Sequence, residues 1–323
     1  MAGSYALLVV HQGAMGDLVC IFPVIAALRQ RFRPIGLMCQ GGLGRLAAAE
    51  GLVEAWFPIE AAWTASLFSG EAHPEARRRL SSFAHILCFS TSEPLALSLQ
   101  AISGAAVCRV PPRPPLGERV HVTDHALRHV RACGWPVDPD LDRRDDGSMA
   151  LPAPEEEVLA PALLHPGAGS PRRRWPLAGF LATAKRLKDR GWQPKFVIGP
   201  AEEDLLPELN RRGEAVIQPR DAVELIARLR SASAYIGNDS GVSHLAAWAG
   251  VPSVVIFGPS DPDRWRPRGR RVAIVQAPLP CRPCFELAGK PCDSADCLHQ
   301  IRSEDVLRAF EHIAPSKPGR TKL

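Results

Sequence analysis

Short apolar runs alternate with amphipathic helical stretches along nearly the whole chain. This alternation is typical of parallel α/β sheets, in which a helix follows each strand and covers one face of the sheet. The predicted strands, all short and apolar, are Ala6–His11, Ile35–Gln40, Ala84–Phe89, Ala105–Val110, Ala162–His165, Lys195–Ile198, Ala234–Gly237 and Ser253–Phe257. The predicted helices are Asp17–Arg31, His125–Cys133, Leu177–Arg190, Glu202–Arg212, Ala222–Arg230, Val242–Ala249 and Ser303–Ile313.

Several helix ends carry recognisable residues. Gly191, Gly213 and Gly250 each follow a predicted helix, where glycine ends the helix in the left-handed conformation. Ser303 is expected to cap the last helix.

The length of the chain predicts two domains. Its 323 residues exceed what one hydrophobic core usually accommodates. Residues 138–161 are polar and rich in proline, and we interpret them as a linker. We therefore predict an N-terminal domain over residues 1–150 and a second domain over residues 151–302. Residues 303–323 are predicted to form a helix and a basic tail.

Composition excludes some classes of protein. The formal charge of +5, from 39 basic and 34 acidic residues, gives no indication of a nucleic-acid partner. No apolar run approaches the roughly 20 residues of a membrane helix, and no signal peptide is recognisable. We expect a cytoplasmic protein whose scattered cysteines are buried free thiols. These are Cys20, Cys39, Cys88, Cys108 and Cys133.

The loop after the first predicted strand contains Gly13, Gly16 and Asp17. Two glycines allow a tight turn and a close approach of backbone to ligand. Asp17 then lies at the carboxyl edge of the sheet, where open α/β folds bind ligands. The alternative interpretation is that Asp17 only caps the following helix.

Two loops in the second half have similar chemistry. One runs from His165 to Ser170 and is followed by Arg172, Arg173 and Arg174. It offers free backbone N–H groups and guanidinium donors that suit phosphate. The other, Gly237–His244, also joins a strand to a helix. We expect the loops to converge on a cleft with a diphosphate between the latter two, although capping and a solvated basic face are simpler alternatives.

Five motifs occur in one order along the chain. They are Gly13-Ala14-Met15-Gly16-Asp17 with Pro23 and Leu28-Arg29, His165-Pro166-Gly167 with Arg174-Trp175-Pro176, Gly199-Pro200-Ala201-Glu202, Asn238-Asp239-Ser240-Gly241 with His244, and Phe257-Gly258-Pro259. In order and spacing they resemble glycosyltransferase family 9, the ADP-heptose:lipopolysaccharide heptosyltransferases. Residues 61–151 contain no matching motif, and we expect acceptor recognition there.

The resemblance implies a GT-B fold, with two Rossmann-like parallel-sheet domains facing a cleft. It implies an inverting transfer without a catalytic metal, from an ADP-heptose-like donor to a lipopolysaccharide core or other glycan or glycolipid acceptor. Asp17 is then the general base, on a loop with Gly13 and Gly16. The implied donor-binding residues are Gly167, Ser170, Arg173, Glu202, Asp239, Ser240, Gly241 and His244. Arg173 stands where the family commonly has lysine, and Glu202 is implied to hold the ribose. Peripheral contact with the inner-membrane surface is also compatible with the resemblance.

Four cysteines, Cys281, Cys284, Cys292 and Cys297, fall within 17 residues. The first pair has the CxxC spacing of structural zinc sites, and four thiolates also suit iron. We predict a structural zinc or iron ion here, because the segment has few apolar residues of its own. Thiols packed under Phe285 and Leu298 are the alternative.

Two other functions stay open at this point. A non-transferase sugar-nucleotide enzyme, such as an epimerase, could use a similar two-domain scaffold. A non-catalytic sugar-nucleotide binder could as well, although the presence of Asp17 argues against it.

Overall fold

The computed structural model describes residues 6–69, 73–135, 137, 160–279, 281, 283–286, 292 and 295–314. The chain divides into two compact units, Met1–Arg143 and Arg144–Leu323. The predicted linker over residues 138–161 falls almost entirely outside the described residues, and so does the predicted boundary at residue 150. The basic tail after residue 314 is also outside them.

The first unit contains a five-stranded parallel sheet in the order β3-β2-β1-β4-β5. Leu7 of the central strand lies opposite Ile35 on one side and His85 on the other. All five residues of that strand are buried, as expected for a parallel strand covered on both faces. The strands are β1 (Leu7–His11), β2 (Ile35–Cys39), β3 (Ala55–Pro58), β4 (His85–Phe89) and β5 (Ala106–Val110).

The helices of the first unit cover this sheet. The helix predicted over Asp17–Arg31 is two helices that meet at Ile21, because Pro23 begins a new helix rather than continuing the first one. The helices are α1 (Met15–Cys20), α2 (Phe22–Leu28), α3 (Gly41–Ala49), α4 (Ser66–Ser69), α5 (Pro74–Leu80), α6 (Glu93–Ser103) and α7 (Val122–Ala132).

The second unit contains a six-stranded parallel sheet in the order β11-β10-β9-β6-β7-β8. The prediction missed β3, β8 and β11, which all lie at sheet edges. Their residues are largely half-buried, so they lack the continuous apolar run of a central strand. The strands are β6 (Ala162–His165), β7 (Pro194–Val197), β8 (Val216–Ile217), β9 (Ala234–Asn238), β10 (Ser253–Phe257) and β11 (Val272–Gln276).

The five helices predicted in the second unit are present, whereas the short helices Pro262–Trp265 and Asp296–His299 were not predicted. Gly191, Gly213 and Gly250 have φ values of 74°, 66° and 78°, which confirms them as left-handed helix terminators. The helix predicted from Glu202 instead begins as a 3₁₀ turn over Pro200–Leu205. The helices are α8 (Leu177–Asp189), α9 (Leu206–Arg211), α10 (Ala222–Arg230), α11 (Gly241–Trp248), α12 (Pro262–Trp265), α13 (Asp296–His299) and α14 (Ser303–Ile313).

The last helix, α14, belongs to the core of the second unit. Phe310 is buried and contacts the Trp192 ring edge-on, with 5.0 Å between the ring centroids. Ser303 is not its cap. Arg302 occupies that position, and its backbone N–H donates to the Asp305 carboxylate at 3.1 Å.

The expectation that all scattered cysteines are free thiols was wrong for one pair. Cys108 of β5 and Cys133, which directly follows α7, form a disulfide with 6.0 Å between their Cα atoms. Strand β5 and helix α7 pack together, which brings these distant residues to bonding distance. Cys20, Cys39 and Cys88 are buried thiols that form no disulfide within the described residues, as predicted. Among the helices in the described ranges, none has both the length and the apolar character needed to cross a bilayer.

Candidate functional site

Asp17 lies in the first turn of α1, after the glycine-containing loop that follows β1. It is not the N-cap, which is Ala14, although a carboxylate in the first turn is also favourably placed against the helix dipole. Its Oδ1 atom lies 3.5 Å from Nη2 of Arg113. A Cβ atom at Gly13 would lie 2.7 Å from Asp17 Cβ, so this close turn requires glycine. Gly16 precedes Asp17 within the same helical turn.

His11 is buried beneath this loop and contacts the ring of Phe89 edge-on. Its Nδ1 atom accepts a hydrogen bond from the Gly13 N–H at 3.3 Å. Burial lowers the pKa of His11 to about 4, although the negative charge of Asp17 opposes the shift. The ring is therefore neutral at pH 7 and can accept the hydrogen bond that orients the loop. The prediction named neither His11 nor Arg113 as a site residue.

The second unit contains the two loops predicted to bind phosphate, His165–Ser170 and Gly237–His244. They lie side by side, because they follow the neighbouring strands β6 and β9. Nη1 of Arg173 lies 3.1 Å from Oδ2 of Asp239. Asp239 is only 2% exposed, whereas Arg173 is half-buried. The prediction that these two loops meet is therefore confirmed, and their contact is an ion pair.

Asn238 joins the same loops through three hydrogen bonds. Its Oδ1 atom accepts from the Trp175 N–H at 2.9 Å. Its Nδ2 group donates to the carbonyls of Pro166 and Gly167 at 2.8 and 3.2 Å. The prediction quoted Asn238 only as part of a motif. Its sequence signal is an amide at the end of an apolar strand, where a polar side chain needs buried partners.

Glu202 is buried within hydrogen-bond or ion-pair reach of three groups. Its Oε2 atom accepts from the Gly199 N–H at 3.1 Å and lies 3.7 Å from His165 Nε2. Its Oε1 atom lies 3.9 Å from Arg174. Burial raises the pKa of Glu202, but these partners outweigh burial and the net shift is downward. A Cβ atom at Gly167 would lie 2.1 Å from Oε1, so this carboxylate requires glycine there.

The N-terminus of α11 lies beside the Arg173–Asp239 pair. Ser240 is the N-cap, and its Oγ atom accepts from the Ser243 N–H at 3.4 Å. Gly241 is the first helical residue, and His244 is buried in the first turn. Free N–H groups at such a terminus favour anions. Ser170 immediately precedes the 3₁₀ turn Pro171–Arg173 and is half-buried.

The three consecutive arginines do not form one solvated face. Arg173 pairs with Asp239, and Arg174 donates to the Ala201 carbonyl at 3.0 Å. Arg172 is exposed and donates to Cys284 Sγ at 3.6 Å. Arg173 is therefore the arginine that an ion pair holds at the carboxyl ends of β6 and β9.

The four clustered cysteines form no disulfide in the described part of the chain. Burial raises the pKa of Cys297, and the charges of Cys281, Cys284 and Cys292 raise it further, so the four sulfurs lie within electrostatic reach of one another. Cys297 also packs against the core of the second unit. Within the described residues, no group of three or more His, Cys, Asp or Glu side chains is assembled as a metal site. The four predicted metal ligands are therefore not brought together as a metal site in this structure.

Residues 151–291 match the family described as glycosyltransferase family 9 (heptosyltransferase). Over these residues, less than half of its length, the chain resembles glycosyltransferase family 9. It is 30% identical over 150 residues to lipopolysaccharide heptosyltransferase 1 of Pseudomonas aeruginosa. That alignment spans 45% of this chain and 42% of the relative, less than half of either protein.

Among the solved structures that share the fold of this chain are two glycosyltransferases. An Escherichia coli heptosyltransferase in complex with ADP has a TM-score of 0.69 at 17% identity, over 96% of this chain and 100% of that one. An iron-containing dodecameric glycosyltransferase from enterotoxigenic E. coli has a TM-score of 0.59 at 16% identity, over 95% and 75%. These likenesses confirm the predicted GT-B fold class.

The lowered pKa of His11 predicts acid sensitivity. In the unfolded chain His11 binds a proton below about pH 6.5, whereas in the folded protein it stays neutral down to about pH 4. The unfolded state therefore binds more protons in this window, and folding stability falls as the pH drops from 6.5 towards 4. We expect His11 to account for about 2 kcal/mol of the stability lost between pH 7 and pH 5.

Urea unfolding at both pH values measures this loss. His11→Gln should reduce it, whereas His312→Gln, on an exposed position of α14, should leave it as in the unmodified protein. Equal losses in all three proteins would contradict the assignment.

Proposed function

We propose that this chain is an inverting glycosyltransferase. It transfers a heptose, or a related sugar, from an ADP-activated donor to a lipopolysaccharide core or another glycan acceptor. The observation that carries the proposal is the Arg173–Asp239 ion pair beside the N-terminus of α11. The relative from P. aeruginosa, named a lipopolysaccharide heptosyltransferase, and the E. coli heptosyltransferase solved with ADP support it.

In this proposal the second unit binds the donor. Arg173 and the N–H groups at the start of α11 bind the diphosphate, with Ser170, Ser240, Gly241 and His244 around it. Fixed positive charge there stabilises the departing ADP. Glu202, ionised because its pKa is lowered, accepts hydrogen bonds from the ribose hydroxyls. Gly167 leaves room for the Glu202 carboxylate.

Asp17 supplies the base for the transfer. The acceptor oxygen forms a bond to the anomeric carbon while Asp17 takes the hydroxyl proton. The bond from that carbon to the diphosphate oxygen breaks, and ADP leaves with the electron pair. Attack opposite to the leaving group inverts the configuration. Nη2 of Arg113 lies 3.5 Å from Oδ1 of Asp17, so a positive charge lies beside the proposed base.

The epimerase and the non-catalytic binder are less well supported. The match to family 9 covers the donor loops and carries the name heptosyltransferase. A binder without catalysis would not need the Asp17 carboxylate that follows the first strand of the chain. An epimerase would consume donor in the absence of acceptor, whereas a transferase needs both.

We also propose a structural zinc or iron ion at Cys281, Cys284, Cys292 and Cys297. Four thiolates are a suitable donor set for either metal, and the electrostatic effects on Cys297 indicate that the sulfurs are neighbours. The iron-containing glycosyltransferase of the same fold supports the inference. The transfer step does not involve this ion, because Asp17 takes the acceptor proton and Arg173 stabilises the negative charge of the departing diphosphate.

Contact with the cytoplasmic face of the inner membrane remains a prediction. Phe68 of α4 and Leu97 of α6 are exposed large apolar residues on neighbouring helices. The adjacent α5 carries Arg77, Arg78 and Arg79, whose charges suit an anionic surface.

The role of Asp17 predicts the effect of one amide substitution. Asp17→Asn should reduce turnover at least about a hundredfold, the usual scale for a general base, because an amide cannot take the proton. Its affinity for ADP should match that of the unmodified protein. Asp124→Asn is the matched control, because Asp124 is also half-buried in the first turn of a helix of the first unit. Retained activity in Asp17→Asn would limit Asp17 to a structural role.

The proposed metal predicts a stoichiometry. Elemental analysis of the purified protein should find about one zinc or iron per chain. Cys281→Ser with Cys284→Ser should remove it, because two of four ligands are lost, whereas Cys20→Ser with Cys39→Ser should retain it. A metal-free protein with native stability, or equal metal content in both double variants, would contradict the site.

A further inference from the structure

Phe285, next to the second of the clustered cysteines, lies against the arginine of the donor loop. The central carbon of the Arg173 guanidinium lies 4.7 Å from the centroid of the Phe285 ring. This distance is within the range of a cation–π interaction. The same guanidinium pairs with Asp239, so it has one partner at its edge and another on its face.

The backbone around Phe285 is fixed to the second unit. The N–H groups of Cys284 and Phe285 both donate to the Pro259 carbonyl, at 2.9 and 3.0 Å. The next side chain, Glu286, accepts from Nε of Arg264 at 2.7 Å. Arg264 is only 5% exposed, so this ion pair is a firm attachment. The position of the ring is therefore determined by the loop after β10 and by α12.

An aromatic ring differs from a carboxylate as a partner for arginine, because its face takes up none of the N–H donors. Asp239 accepts from one nitrogen of Arg173, and the buried Nε has no hydrogen-bond partner within the described residues. The ring thus holds the plane of the guanidinium and leaves donors available for phosphate oxygens. A preorganised arginine loses less conformational freedom when it binds a ligand.

We propose that Phe285 is a positioning residue for the donor diphosphate. It acts through Arg173, whose guanidinium plane it holds in the orientation that phosphate requires. The inference rests on the proposed function, because it takes a nucleoside diphosphate as the ligand. It also gives the cysteine-containing segment a part in donor binding, since residues 284–286 carry the ring and its attachments.

Calorimetric titration with ADP tests the proposal on the full chain and its variants. Phe285→Ala should weaken ADP binding about 3- to 30-fold, the range expected from the loss of a cation–π contact. Phe285→Tyr should restore the affinity, because tyrosine retains the aromatic face. Phe285→Leu retains apolar volume without that face and should behave like Phe285→Ala. Phe68→Ala, an exposed phenylalanine of the first unit, is the control and should bind normally.

The Arg173→Ala variant distinguishes a positioning role of Phe285 from a packing role. In Arg173→Ala the further change Phe285→Ala should leave the ADP affinity unchanged, because the ring no longer has the Arg173 guanidinium to hold. Arg172, whose Cζ lies 5.8 Å from the centroid of the same ring, is present in both proteins of this comparison. Additive losses in the double variant would overturn the proposal, as would a Phe285→Leu variant that binds as well as Phe285→Tyr. If the unmodified protein does not bind ADP, the proposed function itself fails. If it binds ADP and Phe285→Ala binds equally well, only the role of Phe285 fails.

Discussion

The ion pair between Arg173 and Asp239 is the contact on which the arrangement of the donor loops depends. An almost fully buried carboxylate is costly to desolvate, and breaking a buried pair by removing one partner typically costs 3–5 kcal/mol. Asp239 therefore has to keep a cation beside it, and that cation is on the loop of the neighbouring strand. The pairing fixes a positive group at the carboxyl edge of the sheet, beside the start of α11, where an anionic ligand benefits from both.

Hydrogen bonds connect the carboxyl edge of the second unit's sheet with the hydrophobic core of that unit. Asn238 holds Trp175 and the loop carbonyls, and the indole N–H of Trp175 donates to the Ile301 carbonyl at 3.1 Å. The same indole packs against Phe180 with 5.0 Å between the ring centroids. The donor loops are thus linked to α8 and to the approach to α14 by one buried aromatic residue. A rigid attachment of this kind suits a site that has to stabilise charge without reorganising.

The sequence predicted well those features that depend on local patterns. Buried central strands such as Ser253–Phe257 and glycine-ended helices such as α8 and α11 follow from periodicity and backbone conformation. Contacts between segments that are far apart in the sequence could not be predicted from local residue patterns. Arg113 and Asp17 are 96 residues apart, and Phe285 lies more than a hundred residues after Arg173. The disulfide between Cys108 and Cys133 likewise depends on how β5 and α7 pack, which no residue pattern encodes.

In the proposed function, the strand-edge loops of the second unit bind the donor diphosphate. A crystal structure of the full chain in complex with ADP tests it most directly. We predict diphosphate oxygens within hydrogen-bond distance of the Arg173 guanidinium and of backbone N–H groups at the start of α11, with the ribose hydroxyls at Glu202. ADP bound away from these loops, with no phosphate contact to Arg173, would contradict the claim.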